Sequence, residues 1–219
     1  PREWVDVNFN INAVRTWEEL RGCSCLDEDR HDRRQSICTS RSFADMIDDS
    51  QELMLRISDF AAMCAHKLRQ EGSVAGEVTT FMYTNRFRND LAQYFPSAMI
   101  RMDVPASSTQ EIVSAALKAF RTIYREGYKY KKAGVIVSGI TSSDAVQGSI
   151  FDFDDETRHK HDRISKVIDD VNASGPSSSS GRSLLRLATQ RPGHYADGIR
   201  SDFRSRLYTT DLDDVIEVR

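Results

Sequence analysis

The chain has 219 residues, of which 39% are apolar and 29% charged, and its formal net charge is −3. That length fits one large domain, or a medium domain with appendages, and the near-neutral sum argues against a bulk polyanion binder. No run of about 18 apolar residues occurs, so the sequence holds no transmembrane helix, and no secretory signal opens it. It begins at Pro1 and not at Met, which points to a fragment or processed product.

In chain order, Phe9 to Arg21 reads as a short helix ending at Gly22, and 23–34 as a polar linker. Ser36 to Phe43 (SICTSRSF) reads as a strand. Ser50 is placed to cap a long helix, 50–71, whose apolar face is Leu53, Ile57, Phe60, Ala61, Cys64 and Leu68, with Gly72 as its stop. Val74 to Thr84 is rich in β-formers, with Thr79, Phe81 and Tyr83 on one side. A polar loop, Asn85 to Tyr94, leads to a strand from Ser97 to Val104 that Pro105 ends. Ser108 and Glu111 form a capping box for a second helix, 108–126, which buries Ile112, Ala116, Ala119, Phe120 and Ile123 and stops at Gly127. Lys132 to Ile140 (KAGVIVSGI) reads as a buried strand.

This order predicts an α+β fold: a ferredoxin-like βαββαβ four-stranded antiparallel sheet with two helices on one face. A short N-terminal helix and a partly ordered C-terminal tail complete it. The other sheet face is then open. Past Thr141 a short segment precedes a helix from Glu156 to Asn172, with Ile164, Val167, Ile168 and Val171 as its apolar face. GPSSSSG (175–181) is a flexible break. The tail after it carries Arg182, Arg186, Arg191, Arg200, Arg204 and Arg206 against only Asp197 and Asp202, a basic local surface on a neutral chain.

No set of nucleophile, base and orienting group is found, nor any Walker loop or G-x-S-x-G elbow. Asp152, Asp154, Asp155 and Glu156 are dense, but helix N-terminal acids account for them through the macrodipole. His159 and His161, two apart, point to different sides of a helix. We therefore expect no catalytic residue and no metal site in this chain. Cys23, Cys25, Cys38 and Cys64 make no C-x-x-C pair and read as reduced cytoplasmic thiols.

Two signals point to binding. Ser40, Arg41 and Ser42, then Arg86 and Arg88, then Lys129, Lys131 and Lys132 interleaved with Tyr128 and Tyr130, supply the hydroxyls and cations that phosphate contacts use. Gln147-Gly148-Ser149-Ile150-Phe151 has the form of a short linear motif. Its amide can bond at a pocket rim while Ile150 and Phe151 fill the pocket.

ICTSRSF (37–43), YKKAGVIV (130–137), VQGSIFD (146–152) and YTT (208–210), with Trp4-Val5 and ELRG (19–22), resemble the C-terminal part of the bacterial UmuC-type Y-family translesion DNA polymerases. The resemblance implies that 1–34 is the end of a thumb plus a linker. Residues 35–141 would be the little finger domain that grips the DNA backbone. Residues 142–155 would be a linker whose Gln147, Ile150 and Phe151 dock on the replicative sliding clamp, and 156–219 a helix and Arg-rich tail. It implies a bacterial cytoplasmic protein acting in damage bypass and the SOS response on a damaged primer-template. Its partners would include a UmuD-like accessory protein and the RecA filament, and no membrane. The parent polymerase would use magnesium, held by a palm that this sequence does not include. Two positions depart from the family pattern: Gly148 stands where a leucine is usual, and Ala13 where the thumb helix usually has glycine. Two other readings remain open, an RRM-type nucleic-acid-binding module and a structural interaction domain with a tail.

Overall fold

The structure, a computed structural model, describes residues 1–25, 34–145, 155–174 and 185–190. The described residues divide into two compact units, one from Pro1 to Arg34 and one from Gln35 onward.

The first unit holds two helices: the one expected over 9–21, slightly shorter, and another before it. Helix α1 spans Arg2–Asn8 and α2 spans Ile11–Glu19. Asn10 separates them. Its backbone is extended and its side-chain oxygen accepts from the Ala13 N–H, so the second helix starts after it. Within α2 only Val14 is buried, and Trp4, Val7, Phe9, Ile11 and Leu20 are exposed. Burial therefore imposes little periodicity here, and α1, with no buried residue, leaves no apolar pattern in the sequence.

The second unit is built on a sheet with order β1-β4-β2-β3, antiparallel throughout. Its strands are β1 (Ser36–Ile47), β2 (Ser73–Thr84), β3 (Ser97–Ala106) and β4 (Tyr130–Ser142). Helices α3 (Ser50–Gln70) and α4 (Thr109–Ile123) complete the predicted order. Strand β4 lies between β1 and β2, and β2 lies between β3 and β4, so each βαβ unit is split by a strand of the other.

One hydrophobic cluster fills the space between the helices and one sheet face. Leu53, Ile57, Cys64 and Leu68 of α3 and Ile112, Ala116 and Phe120 of α4 meet Val78, Met82, Val135 and Val137. Each such aliphatic side chain contributes about 1.5–3 kcal/mol by leaving water. Two polar contacts tie the layers. The Thr80 hydroxyl, fully buried, donates to the Ala116 carbonyl at 3.0 Å. The Tyr130 hydroxyl donates to the Arg125 carbonyl at 3.0 Å and accepts its N–H at 3.1 Å.

Several boundaries differ from the sequence reading. Strand β1 runs on to Ile47, because Ile47 pairs with Tyr130 beyond an irregularity after Ser42. Asp49, not Ser50, caps α3: its carboxylate accepts from Gln51 N (3.3 Å) and Glu52 N (2.9 Å). Gly72, at φ +59°, then turns the chain after α3 as expected. Pro105 does not end β3 but lies inside it. Edge strands tolerate proline, since the missing N–H faces away from the ladder. Helix α4 ends at Ile123, with Tyr124 extended, and Gly127 serves the turn before β4. Its capping residue is Ser108 as predicted, accepting from the Glu111 N–H while its hydroxyl donates to the Glu111 carboxylate.

The largest correction concerns helix α5 (Asp155–Ser174). Most of its expected apolar stripe does not face the domain: Ile164, Val167 and Val171 are exposed, and only Ile168 is half-buried, beside Ala62 and Met63 of α3. The adjacent polar stripe docks instead. Ser165 is fully buried, accepts the Thr109 N–H and donates to the Gln110 side chain, both at 3.1 Å. Arg158 bonds Glu111 at 3.2 Å. Arg69 of α3 donates to both carboxylate oxygens of Asp169, at 2.6 and 2.9 Å.

Candidate nucleic-acid interface

Strand pairing sorts the predicted DNA-contacting residues by face. On β4, Ala133, Val135 and Val137 are buried under the helices, so Lys132, Gly134, Ile136 and Ser138 lie on the opposite, open face. The register then gives four cross-strand rows. Ser42, Lys132 and Tyr83 form the first, and Ser40, Gly134, Phe81 and Ser97 the second. Cys38, Ile136, Thr79 and Met99 form the third, and Ser36, Ser138, Glu77 and Arg101 the fourth. Within the second unit, α3 and α4 pack on the other face of the sheet and α5 packs against α4, so no described helix of that unit lies on this one.

Ser40, Ser42 and Lys132 are thus brought together. Arg41 is not. It pairs with buried Ala133, so strand alternation sends it to the helix side of edge strand β1. Lys131 donates to the Ala44 carbonyl at 2.8 Å, which holds its ammonium against β1. Lys129 is exposed in the turn before β4.

Gly134 sets the shape of the second row. A Cβ there would come 2.4 Å from Ser40 Cβ and 2.5 Å from Phe81 Cζ. The missing side chain lets the Phe81 ring lie across β4, so Phe81 is only 6% exposed although it faces outward. Tyr83 meets Phe81 with ring centroids 5.0 Å apart, and Phe95 meets Tyr83 at 5.8 Å. The Arg86 guanidinium sits 5.2 Å over the Phe95 ring. This aromatic run was not legible as a unit, because Phe95 comes beside Tyr83 only through the loop that returns from β2 to β3.

Arg86 and Arg88 share that loop but not a state. Arg88 donates to both oxygens of Asp90, at 2.8 and 2.6 Å. The Arg88 hydrogen bonds hold the Asp90 carboxyl down at about 2, so the pair is ionised over the whole working pH range. Its charge is thereby largely cancelled locally.

Behind the interface, Cys64 is a buried thiol 3.2 Å from the Thr39 hydroxyl. Burial pushes its pKa up, against the bond to Thr39. It is a core residue with no nucleophilic character. Among the described residues, no group of three or more His, Cys, Asp or Glu side chains could hold a metal ion. No described helix is long and apolar enough to cross a membrane. Gln147, Ile150 and Phe151 lie outside the described residues, as do Asp152 and Asp154 and the arginines of the tail other than Arg186.

Comparison with known proteins agrees with the fold. A family profile described as the impB/mucB/samB family C-terminal domain matches residues 34–150. Protein ImpB of Salmonella typhimurium is 34% identical over 173 residues, which cover 78% of this chain and 41% of that protein. Protein UmuC of Salmonella typhimurium strain LT2 is 31% identical over 216 residues, covering 98% of this chain and 50% of that protein. Protein SamB of Salmonella typhimurium is 29% identical over 173 residues, 78% of this chain and 41% of its own length. The chain spans about half the length, or less, of the curated relatives it matches. On the match over 34–150 and these relatives, the chain belongs to the impB/mucB/samB family and carries its C-terminal domain, of the UmuC and ImpB type.

Proposed function

We propose that this chain is the DNA-gripping and clamp-docking C-terminal region of a Y-family translesion polymerase acting in damage bypass. The observation that carries the reading is the open face: Ser40, Ser42, Lys132 and Tyr83 lie in adjacent cross-strand rows on the side of the sheet opposite α3 and α4, which no described helix of this unit covers. Hydroxyls, a cation and backbone groups on a shallow sheet suit phosphate and sugar contacts, which fix position without reading sequence. A bypass enzyme has to hold any template, so sequence-independent contacts are what the task requires.

Under this reading 1–34 ends a thumb, 35–141 is the little finger domain, 142–155 carries the clamp motif, and 156–219 is the C-terminal helix and tail. Gln147, Ile150 and Phe151 dock on the sliding clamp, with Phe151 as the main anchor. Gly148 contributes no side chain and raises the ordering cost, so affinity is about micromolar or weaker. Polymerisation and its magnesium belong to a palm elsewhere in the parent protein. The tail is the segment available to a UmuD-like accessory protein and to the RecA filament.

Two titrations test this. The chain should bind unrelated duplexes of equal length with equal affinity, and log K should fall linearly with log salt. A 142–153 peptide should bind a bacterial sliding clamp, and its Phe151→Ala version about 30-fold less tightly, for an anchor of about 2 kcal/mol. Salt-insensitive or absent duplex binding contradicts the DNA part, and no binding by the parent peptide contradicts the clamp part.

A further inference from the structure

We propose that Phe95, Tyr83 and Arg86 form a stacking site for unpaired bases of single-stranded DNA at the Lys132 end of the open face. The inference rests on the reading that this face meets DNA, and it adds a second mode of contact to backbone grip.

The rings form a continuous run. Phe81 is buried over Gly134, Tyr83 is half-buried beside it, and Phe95 is 42% exposed at the outer end. An aromatic ring left this open is not explained by the core. Nor is its loop slack. Thr84 N donates to the Tyr94 carbonyl and Met82 N to the Pro96 carbonyl, both at 3.1 Å, so the backbone on either side of Phe95 continues the ladder with β2. Within the loop the Gln93 amide donates to the carbonyls of Asn85, Arg88 and Leu91 at 3.1, 2.9 and 3.1 Å, and its oxygen accepts from the Thr84 hydroxyl at 3.0 Å. The ring is thus presented in advance, and ordering it on binding costs little.

The chemistry of the neighbours selects the ligand. Arg86 lies over the Phe95 ring, and Lys132 is the cross-strand partner of Tyr83. A flat π surface flanked by two cations matches a nucleotide, which brings a base face and a phosphate together. In a duplex the base faces are covered by their stacked neighbours. Unpaired nucleotides offer them, so single-stranded DNA is the form this cluster distinguishes.

The test uses the full chain with a labelled 12-nucleotide oligo-dT strand and a 12-base-pair blunt duplex, followed by fluorescence anisotropy. Phe95→Leu keeps apolar bulk against Tyr83 and removes the ring. It should weaken oligo-dT binding about five-fold or more and leave duplex binding within about two-fold. In a Trp4→Phe, Trp17→Phe background, the indole of Phe95→Trp should restore oligo-dT affinity, and its emission should be quenched on binding. Undiminished oligo-dT binding by Phe95→Leu, or a bound strand that leaves the indole emission unchanged, overturns the stacking site while duplex binding still supports the backbone grip. Failure of the parent chain to bind the duplex, with the stacking results intact, would instead remove the grip alone.

Discussion

Gly134 of β4 and Phe81 of β2 face each other across the strand pair, and the ring occupies the volume that a side chain at 134 would need. The central strand carries a glycine where β-branched residues would otherwise pack better, and an outward-facing phenylalanine is buried as the result.

Gly134→Ala tests that relationship. The added methyl would lie within 2.8 Å of two Phe81 ring carbons and 2.4 Å from Ser40 Cβ. The ring can turn away, but Ser40 Cβ moves only with β1. Overpacking of this kind costs about 1–3 kcal/mol. Urea unfolding should show a lower midpoint with an unchanged slope, and a midpoint equal to the parent's would mean that the second row is looser than described.

The basic residues should contribute unequally. Arg88 is tied to Asp90 through two hydrogen bonds, whereas Lys132 lies in the first row of the open face. Lys132→Ala should lower the slope of log K against log salt by about 0.9 for one lost phosphate contact, and Arg88→Ala should change it little. Asp90→Asn should strengthen DNA binding by releasing the guanidinium. Salt titration of the three variants checks this, and a larger effect at Arg88 than at Lys132 would reverse the assignment.

Helix α5 should come off through one carboxylate. Burial pushes the Asp169 pKa up, but the hydrogen bonds and charges of Arg69 and His66 outweigh it and hold the carboxyl below its ordinary value of 3.8. A lowered folded pKa stabilises above the unfolded value, and that stability is lost as pH falls through the folded one. The carboxylate's contribution to docking should therefore be intact above the ordinary value of 3.8 and decline progressively as pH falls below it. Asp169→Ala removes the carboxylate from Arg69, whose side chain is only 9% exposed and keeps only its bonds from Nη1 to the Ser107 carbonyl and the Thr109 hydroxyl. It should weaken docking by about 1–3 kcal/mol. Hydrogen exchange should quicken along Asp155–Ser174 and stay slow in β2 and β4, and equal protection of α5 in parent and variant would contradict it.

Sequence pattern served best where one face of an element is buried. Leu53 to Leu68 and Ile112 to Ile123 repeat at helical spacing because the sheet demands it, and both helices stand near their expected places. It misled at α5, where Ile164, Val167, Ile168 and Val171 have that same spacing but, of these, only Ile168 is half-buried, and Ser165 and Asp169 make the polar contact. A buried hydroxyl and a two-pronged ion pair leave no periodic apolar signal. At the interface the residue types were legible and their faces were not. Ser40, Arg41 and Ser42 are adjacent in sequence, yet alternation divides them between the two sides of the sheet. The Phe81, Tyr83 and Phe95 run needed the strand register and the loop return to become visible.

DNA lying on the open face would cover Cys38, which stands exposed in the third row of that face. Cys64 is buried beneath the sheet, so in a Cys23→Ser, Cys25→Ser chain Cys38 is the accessible thiol among the described residues. The measurement is its rate of maleimide labelling with and without a saturating blunt duplex. Bound duplex should slow labelling several-fold, and high salt should restore the free rate. Labelling at the same rate with bound duplex as without it would place the DNA elsewhere and contradict the claim.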